Sequence, residues 1–256
     1  MRHGQRWPTN IWHWIGQLMR LALSLSDIRS AKAPEDLTPV IFEISVRYEL
    51  SHMSFLVARS GTRDTGYPLY FTTYPATWIE AYLARHFFET DPVLEAARSG
   101  HLPVDWSSLG RTVQDRHFFE EARFHGIGPN GLTIPVRGAY GELGFFSVAS
   151  DLCKDDWFRL CATSTNDLHI LSHYLHEAVF AITGLRKGVS PRKLSRRETQ
   201  CLHLLATGKI HKQIAAALGI SESSVRLYLR SAREKLFAST SHQAVAKATY
   251  LELINL

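Results

Sequence analysis

Two stretches of this chain hold side chains spaced for chemistry. Between Thr73 and Trp106 the sequence reads TYPATWIEAYLARHFFETDPVLEAARSGHLPVDW. Trp78 and Tyr82 lie four residues apart and so share one helix face, and Asp91 follows where that helix has ended. A buried tyrosine hydroxyl and a buried indole N–H require acceptors, and a buried aspartate requires donors. A ligand with two carbonyls and one amide N–H would supply that set. The same aromatics also serve as plain core, and an aspartate before proline serves as a cap or turn, so residue type alone leaves both roles open. The second stretch carries Arg226, Arg230 and Arg233 at spacings of four and three. Arginine presents two donors at once to guanine O6 and N7. Residues 186–256 hold 13 Lys and Arg against 4 Asp and Glu, net +9, whereas the first 185 residues hold 16 against 20, net −4. Such a basic segment attracts a nucleic-acid duplex by counterion release.

The elements that position these arginines can be read from Leu194 to Leu236. Ser195 and Glu198 form a capping box that starts a helix, Cys201, Leu202, Leu204 and Leu205 give it a buried face, and Gly208 ends it. A second helix runs from His211 to Leu218. Gly219 turns the chain, Ser221 caps a third helix, and Val225, Leu229, Ala232 and Leu236 form its buried stripe, which leaves the three arginines pointing outward. A helix pair joined by a glycine turn is also a common structural corner with a solvated basic surface. LSRRE, LATGK, IAAALGIS, SVRLYL and the pair Lys235-Leu236 resemble the LuxR-type helix-turn-helix. Glu198, Leu202 and Gly208 stand where quorum-sensing members carry the same three residues. Gln213 replaces a usual glutamate and Tyr228 a frequent histidine, which leaves the preferred DNA sequence open. The resemblance implies that Arg226 and Arg230 face base edges, with Lys209, Lys212 and Arg233 on phosphates and Ser224 in the same contact set.

Upstream, Pro34 to Leu50 has Leu37, Ile41, Ile44 and Tyr48 at helical spacing, so it should cover one face of a sheet. Met53–Ala58 and Tyr67–Thr73 read as one hairpin, Leu132–Val136 and Leu143–Ser150 as another. Trp78–Phe88, Phe118–His125 and Trp157–Ile182 read as helices. This order predicts an α+β fold, an α-β-α sandwich with an antiparallel sheet, followed by a small all-α domain. The expected divisions are 1–30 as an extension or first helix, 31–184 as the sheet domain, 185–193 as a linker (LRKGVSPRK) and 194–256 as the helix-turn-helix domain. Trp12, Ile15, Met19 and Leu23 could line one side of an amphipathic first helix, whose role stays open; the polar breaks at His13, Gln17 and Arg20 argue against an export signal.

The exclusions are chemical. No GxGxxG or Walker sequence, no GxSxG nucleophile and no HxHxDH pattern occurs, so no catalytic residue is expected. His169, His173 and His176 fall at helical spacing but read as a polar helix face rather than a metal site. Cys153, Cys161 and Cys201 lack a CxxC pair and read as free, mostly buried thiols of a cytoplasmic protein. No run of 18 apolar residues is present, so no membrane partner is expected.

A second resemblance covers roughly Leu37 to Ile182. The spacing of Tyr74, Trp78, Tyr82, Asp91-Pro92 and Trp106, with Gly131 before Leu132-Thr133-Ile134-Pro135 and the run GELGFFSVAS, is similar to the autoinducer-binding domain of LuxR-type receptors. It implies that Trp78 donates to a lactone carbonyl, Tyr74 to an acyl carbonyl, and that Asp91 accepts an amide N–H. Tyr82 and Trp106 wall the pocket, Val93 joins the ligand contacts, and Ser147 contacts a chain oxygen. Phe55, Tyr70, Phe87, Phe88, Leu132 and Phe145 are candidate walls for the acyl chain, whose burial supplies about 0.8 kcal/mol per methylene. The implied protein is a quorum-sensing transcriptional regulator, not an enzyme and without a cofactor. Its expected partners are an N-acyl-homoserine lactone, palindromic double-stranded DNA, a second copy of itself and, should it activate, RNA polymerase. The alternative keeps the DNA-binding module on a first domain that is ligand-independent or senses another small molecule or a protein.

Overall fold

The computed structural model describes residues 10–60, 69–138, 141–185 and 193–254, with no side-chain description for 10–15 and 59–60. It contains two compact units, one carrying a β-sheet and extending to Gly184, the other running from Leu185 to Leu256.

In the first unit, helices α1 (Asn10–Ser30) and α2 (Pro34–Arg47) precede strands β1 (His52–Ser60) and β2 (Leu69–Thr72). Short helices α3 (Ala76–Ala84), α4 (Phe87–Thr90) and α5 (Pro92–Ser99) lead to strand β3 (Val104–Asp105), a 3-10 turn at Trp106–Ser108 and helix α6 (Val113–Phe124). Strands β4 (Asn130–Arg137) and β5 (Glu142–Ser150) and the long helix α7 (Lys154–Ile182) complete it. The sheet order is β2-β1-β5-β4-β3, and β1 pairs with β2, β3 with β4 and β4 with β5 in antiparallel register, with Ser54 opposite Thr72 and Thr133 opposite Ser147. Nearly every residue of β4 and β5 is buried, so both faces of these strands are covered by helices. Side chains alternate accordingly. Phe55 and Gly144 face His176 on α7, while Ser54, Leu56, Phe145 and Ser147 face a cavity on the other side. As the spacing predicts, Leu37, Ile41, Ile44 and Tyr48 are buried to 1% exposure or less.

Three expectations change. The stretch 78–88 is not one helix: His86 adopts a left-handed backbone (φ +54°) that separates α3 from α4. Of the residues that could line one side of α1, Met19 and Leu23 are exposed, and the side chains of Trp12 and Ile15 lie outside the described residues. The polar side of α1 is the one that docks, because partners await it. Arg20 bonds Ser164 and lies over the Tyr48 ring (4.2 Å), Arg47 bonds Ser24 and Asp27, and the Tyr48 hydroxyl donates to Asp167. His176 is buried, not part of a polar face, and Cys153 is exposed, unlike the buried Cys201. The tyrosine hydroxyl of this docking network is pushed well above its ordinary pKa by burial and by Asp167.

The second unit consists of α8 (Arg196–Ala206), α9 (His211–Leu218), α10 (Glu222–Lys235) and α11 (Ser241–Tyr250). Ser195 and Glu198 form the capping box, Gly219 is left-handed (φ +64°), and Ser221 caps α10. Ala244 and Ala248 of α11 close a core around Cys201, Leu202, Ile214, Val225 and Leu229. Glu198 does more than cap. Its carboxylate accepts from Lys235 Nζ (2.8 Å) and the Ser231 hydroxyl (2.7 Å), tying α8 to α10. Burial raises its pKa, but Lys235, the Ser195 N–H and Ser231 outweigh burial and hold it below 4.5. That contribution is present above the unfolded value and lost as pH falls through the folded one. Glu198→Ala should therefore weaken the protection of α8 and α10 amides against hydrogen exchange by about 2 kcal/mol near neutral pH, with the deficit shrinking on acidification. Unchanged protection would mean that the network contributes nothing.

Candidate functional site

The site in the first unit is built on the segment from β2 to the turn after β3. Asp91 ends α4 and caps α5: its Oδ1 accepts from the backbone N–H of Val93 (2.8 Å) and Leu94 (3.3 Å). Its Oδ2 accepts from the Tyr82 hydroxyl (2.8 Å), which α3 brings across. Trp78, one turn before Tyr82, is 4% exposed and sits among Tyr82, Phe87, Phe118 and His125, with ring centroids 5.6–5.9 Å away. Neither Trp78 Nε1 nor the Tyr74 hydroxyl has a hydrogen-bond partner among the described residues. Burial, opposed by Tyr82, Val93, Leu94 and Arg98, lifts the Asp91 carboxyl from 3.8 to about 6. Burial and then the Asp91 charge push both Tyr74 and Tyr82 upward, so each hydroxyl stays a donor.

These groups converge on one cavity between the sheet and α3–α6. Tyr74, Trp78, Tyr82, Asp91, Val93, Trp106 and Ser147 all line it. It gives the centre of a water-sized sphere about 100 Å³ to move in, several times what one water needs on that measure. The space suits a multi-atom ligand, and its walls are mostly apolar. Of the candidate chain walls, Tyr70 and Phe145 line the cavity, whereas Phe55, Phe87, Phe88 and Leu132 do not. Phe145 closes against Leu94, Ala97 and Leu143. Gly131 is needed where it stands, since a Cβ there would lie 2.3 Å from the Trp106 ring.

The second unit presents a different surface. Ser223, Arg226, Leu227, Arg230 and Glu234 form the solvent stripe of α10. The arginines are held by single-turn pairs, Arg226–Glu222 (3.5 Å) and Arg230–Glu234 (3.1 Å). Lys212 is exposed, while Lys209 and Ser224 are half-buried, Ser224 Oγ lying 2.9 Å from the Ser221 hydroxyl. Arg233 departs from the outward position its spacing implies. It is half-buried and reaches the Ser239 carbonyl (3.4 Å), because the loop to α11 folds over that side of α10.

Both halves have counterparts among known proteins. Residues 33–179 match the family described as "Autoinducer binding domain", and residues 192–248 match "Bacterial regulatory proteins, luxR family". The chain belongs to the LuxR family of quorum-sensing transcriptional regulators. It is 42% identical over 185 residues to the transcriptional activator protein RaiR of Rhizobium etli, covering 72% of this chain and 76% of RaiR. It is 29% identical over 216 residues to the transcriptional activator protein AhyR of Aeromonas hydrophila, covering 80% of each. Among solved structures, Escherichia coli SdiA matches with a TM-score of 0.62 at 22% identity, covering 93% of this chain and 99% of SdiA, a likeness of fold. RaiR and AhyR are named transcriptional activators, and the family is one of transcriptional regulators rather than enzymes.

For a LuxR-family regulator, several wall residues carry no motif signal. Ser54, Thr72, Ile79 and Ala122 come to the cavity from separate elements through strand and helix phase. Phe118 is recognisable only as a helical aromatic. Thr133 lies one layer behind the wall and appears in the sequence as one residue of an apolar strand. Thr112 and Asp115, the capping box that starts α6, were legible in principle by the same rule as Ser195 and Glu198, and they extend that helix five residues upstream of Phe118.

Proposed function

We propose that this regulator binds an N-acyl-homoserine lactone in the cavity of its first unit and palindromic promoter DNA, as a cytoplasmic homodimer, through α8–α10. The observation that supports the ligand reading is the donor and acceptor set. Trp78 Nε1 and the Tyr74 hydroxyl are donors without a protein partner among the described residues, lining a mostly apolar cavity beside one buried carboxylate. Trp78 takes the lactone carbonyl, Tyr74 the acyl carbonyl and Asp91 the amide N–H, with Tyr82, Val93, Trp106 and Ser147 around them. Arg226 and Arg230 read bases, and Lys209 and Lys212 hold phosphates. One recognition helix reads only a few base pairs, so two copies placed one DNA turn apart, about 34 Å, complete the site. Leu18, Met19 and Leu23 on α1 and Phe42 and Val46 on α2 are 52–65% exposed and offer apolar surface that a second copy would cover. RaiR and AhyR are named activators, and RNA polymerase is the partner if this chain acts in the same sense. The domain divisions at 31–184, 185–193 and 194–256 belong to the same proposal.

Melting the purified protein with and without added lactone tests this reading. Ligand at about 100 times its dissociation constant adds about 2.7 kcal/mol to folding. The effect should depend on pH through Asp91. Its folded pKa of about 6 lies above the ordinary 3.8, so in the ligand-free protein this group favours folding below its unfolded value and loses that contribution as pH rises through about 6. An amide N–H favours the ionised form, so lactone binding should weaken as pH falls through the same range. The lactone-induced rise in melting temperature should be larger at about pH 7.5 than at about pH 5.5. Equal rises at both values would remove Asp91 from the contact, and no rise with any acyl-homoserine lactone would favour a first unit that is ligand-independent or takes another partner.

A further inference from the structure

The cavity has two ends of different make. Trp78, Trp106, Phe118, Ala122 and Ile127 pack into one apolar cluster with Phe119, at the α6 end, whereas Phe145, Leu94 and Leu143 pack into another with Leu56. In the lactone reading Trp78 takes the ring carbonyl, so the ring lies at the α6 end and the acyl chain points to Phe145. The α6 end also adjoins a second space. A surface groove runs outside it, lined by Leu109, Arg116 and Glu120, and by Asn130, Leu152 and Lys154 from the two ends of the β4–β5 hairpin and the start of α7. On the measure that gives the cavity about 100 Å³, the groove has about 510 Å³. Trp106, Phe119, Arg123 and Pro129 line cavity and groove alike, so a partition one side chain thick separates them.

Two members of this partition are fixed and two can turn. The Trp106 indole donates to buried Thr133 (2.9 Å) and lies against Gly131, where a Cβ would come within 2.3 Å of it. Pro129 follows Gly128, which is pressed on β5 so closely that a Cβ would lie 2.3 Å from the Ser150 carbonyl oxygen, and Asn130 beyond it donates to the Leu152 carbonyl (2.7 Å). Phe119 and Arg123, one turn apart on α6, have no such ties. Phe119 is half-buried, and Arg123 is exposed with no side-chain partner among the described residues. Exposed side chains of this kind change rotamer within nanoseconds, so the partition opens without unfolding anything behind it. We infer that the groove is the vestibule of the ligand cavity and that Phe119 and Arg123 are its gate, passing the lactone acyl chain first and ring last. The inference rests on the lactone reading above and adds the route and the order of entry to it.

Association and dissociation rates of radiolabelled N-octanoyl-homoserine lactone, measured on the full-length protein, test it. A residue that only touches the bound ligand moves the dissociation rate, whereas a gate moves both rates in the same sense. Phe119→Ala should speed association and dissociation about tenfold each, and Phe119→Trp should slow both. Arg123→Cys in a Cys153→Ser background, alkylated with a bulky maleimide, should take up lactone about tenfold more slowly; alkylated after loading, it should release lactone about tenfold more slowly. Cys153→Ser alone, given the same reagent, corrects for Cys161 and Cys201. This arm carries the test if Phe119→Ala fails to fold, because Arg123 is a surface position. Leu83 and Tyr70 are cavity residues that also reach the surface, and the same plug placed at Leu83→Cys probes that competing exit and should have the smaller effect. Association rates that stay at the native value in both Phe119 variants, or a plug at Leu83 that slows entry as much as the one at Arg123, overturn the inference while leaving the lactone reading intact. Failure of the lactone to bind the native chain overturns the lactone reading and this inference with it.

Discussion

Asp91→Asn should fold and yet bind lactone about 10- to 100-fold more weakly than the native protein, because a hydrogen bond to a charged group contributes about 1.5–3 kcal/mol. The two oxygens of Asp91 have separate duties. Oδ1 caps α5 through the N–H groups of Val93 and Leu94, and asparagine caps a helix as well as aspartate does. Oδ2 accepts from Tyr82 at 2.8 Å and has a lone pair left for the ligand. An amide nitrogen in its place points a donor at the Tyr82 hydroxyl and at the ligand N–H together. Calorimetric titration of Asp91→Asn reads the loss. Asp91→Ala separates the two duties, since it also removes the cap and should cost about 1 kcal/mol of stability without any ligand present. If Asp91→Asn bound lactone as tightly as the native chain, Asp91 would be a structural cap and no more.

The places where sequence and structure agree share a cause: each boundary is made by a side chain whose job is local. Ser195 with Glu198, Gly219 and Ser221 mark the helices of the second unit because capping and left-handed turns act within a few residues. The central hairpin of β4 and β5 is legible for the same reason, through its apolar strands and glycine-bearing turn. The seven candidate ligand residues meet at one cavity because four of them ride on the consecutive short elements α3 to α5, whose phase the aromatic spacing records.

What the sequence hides is decided by partners far along the chain. Arg20 makes α1 dock by its polar side only because Asp167 and Tyr48 stand opposite it, 147 and 28 residues further along the chain. His176 sits at the same helical period as His169 and His173, yet the missing Cβ of Gly144 and the ring of Phe55 draw it into the core. Arg233 is turned aside by a loop that its own helix does not specify. Thr133 gains hydrogen-bond partners only when Trp106 and Ser147 are brought to its two sides. Helix and strand periodicity fixes which face a residue occupies, and long-range pairing decides what that face meets.

The same distinction governs the DNA surface, where outward arginines are not equivalent. Arg226→Ala and Arg230→Ala should each weaken binding to a duplex selected by the native protein from a random pool by about 5- to 150-fold, corresponding to about 1–3 kcal/mol per base contact, and should relax the sequence preference at one position. Both side chains are 66–72% exposed, and their partners Glu222 and Glu234 lie on the same helix. Exposed pairs at this spacing contribute about 0.3–0.5 kcal/mol, so a guanidinium leaves its glutamate for a base edge at little cost. Lys212→Ala should instead weaken selected and unselected duplexes alike and reduce the slope of log affinity against log salt by about 1. Lys235, although basic and on the same helix, is bound to Glu198 at 2.8 Å, and its loss should act through stability rather than sequence preference. Binding curves for selected and scrambled duplexes at several salt concentrations separate these outcomes. Equal losses on both duplexes for Arg226→Ala and Arg230→Ala would make them phosphate contacts, and the reading of sequence would have to lie elsewhere on the exposed stripe.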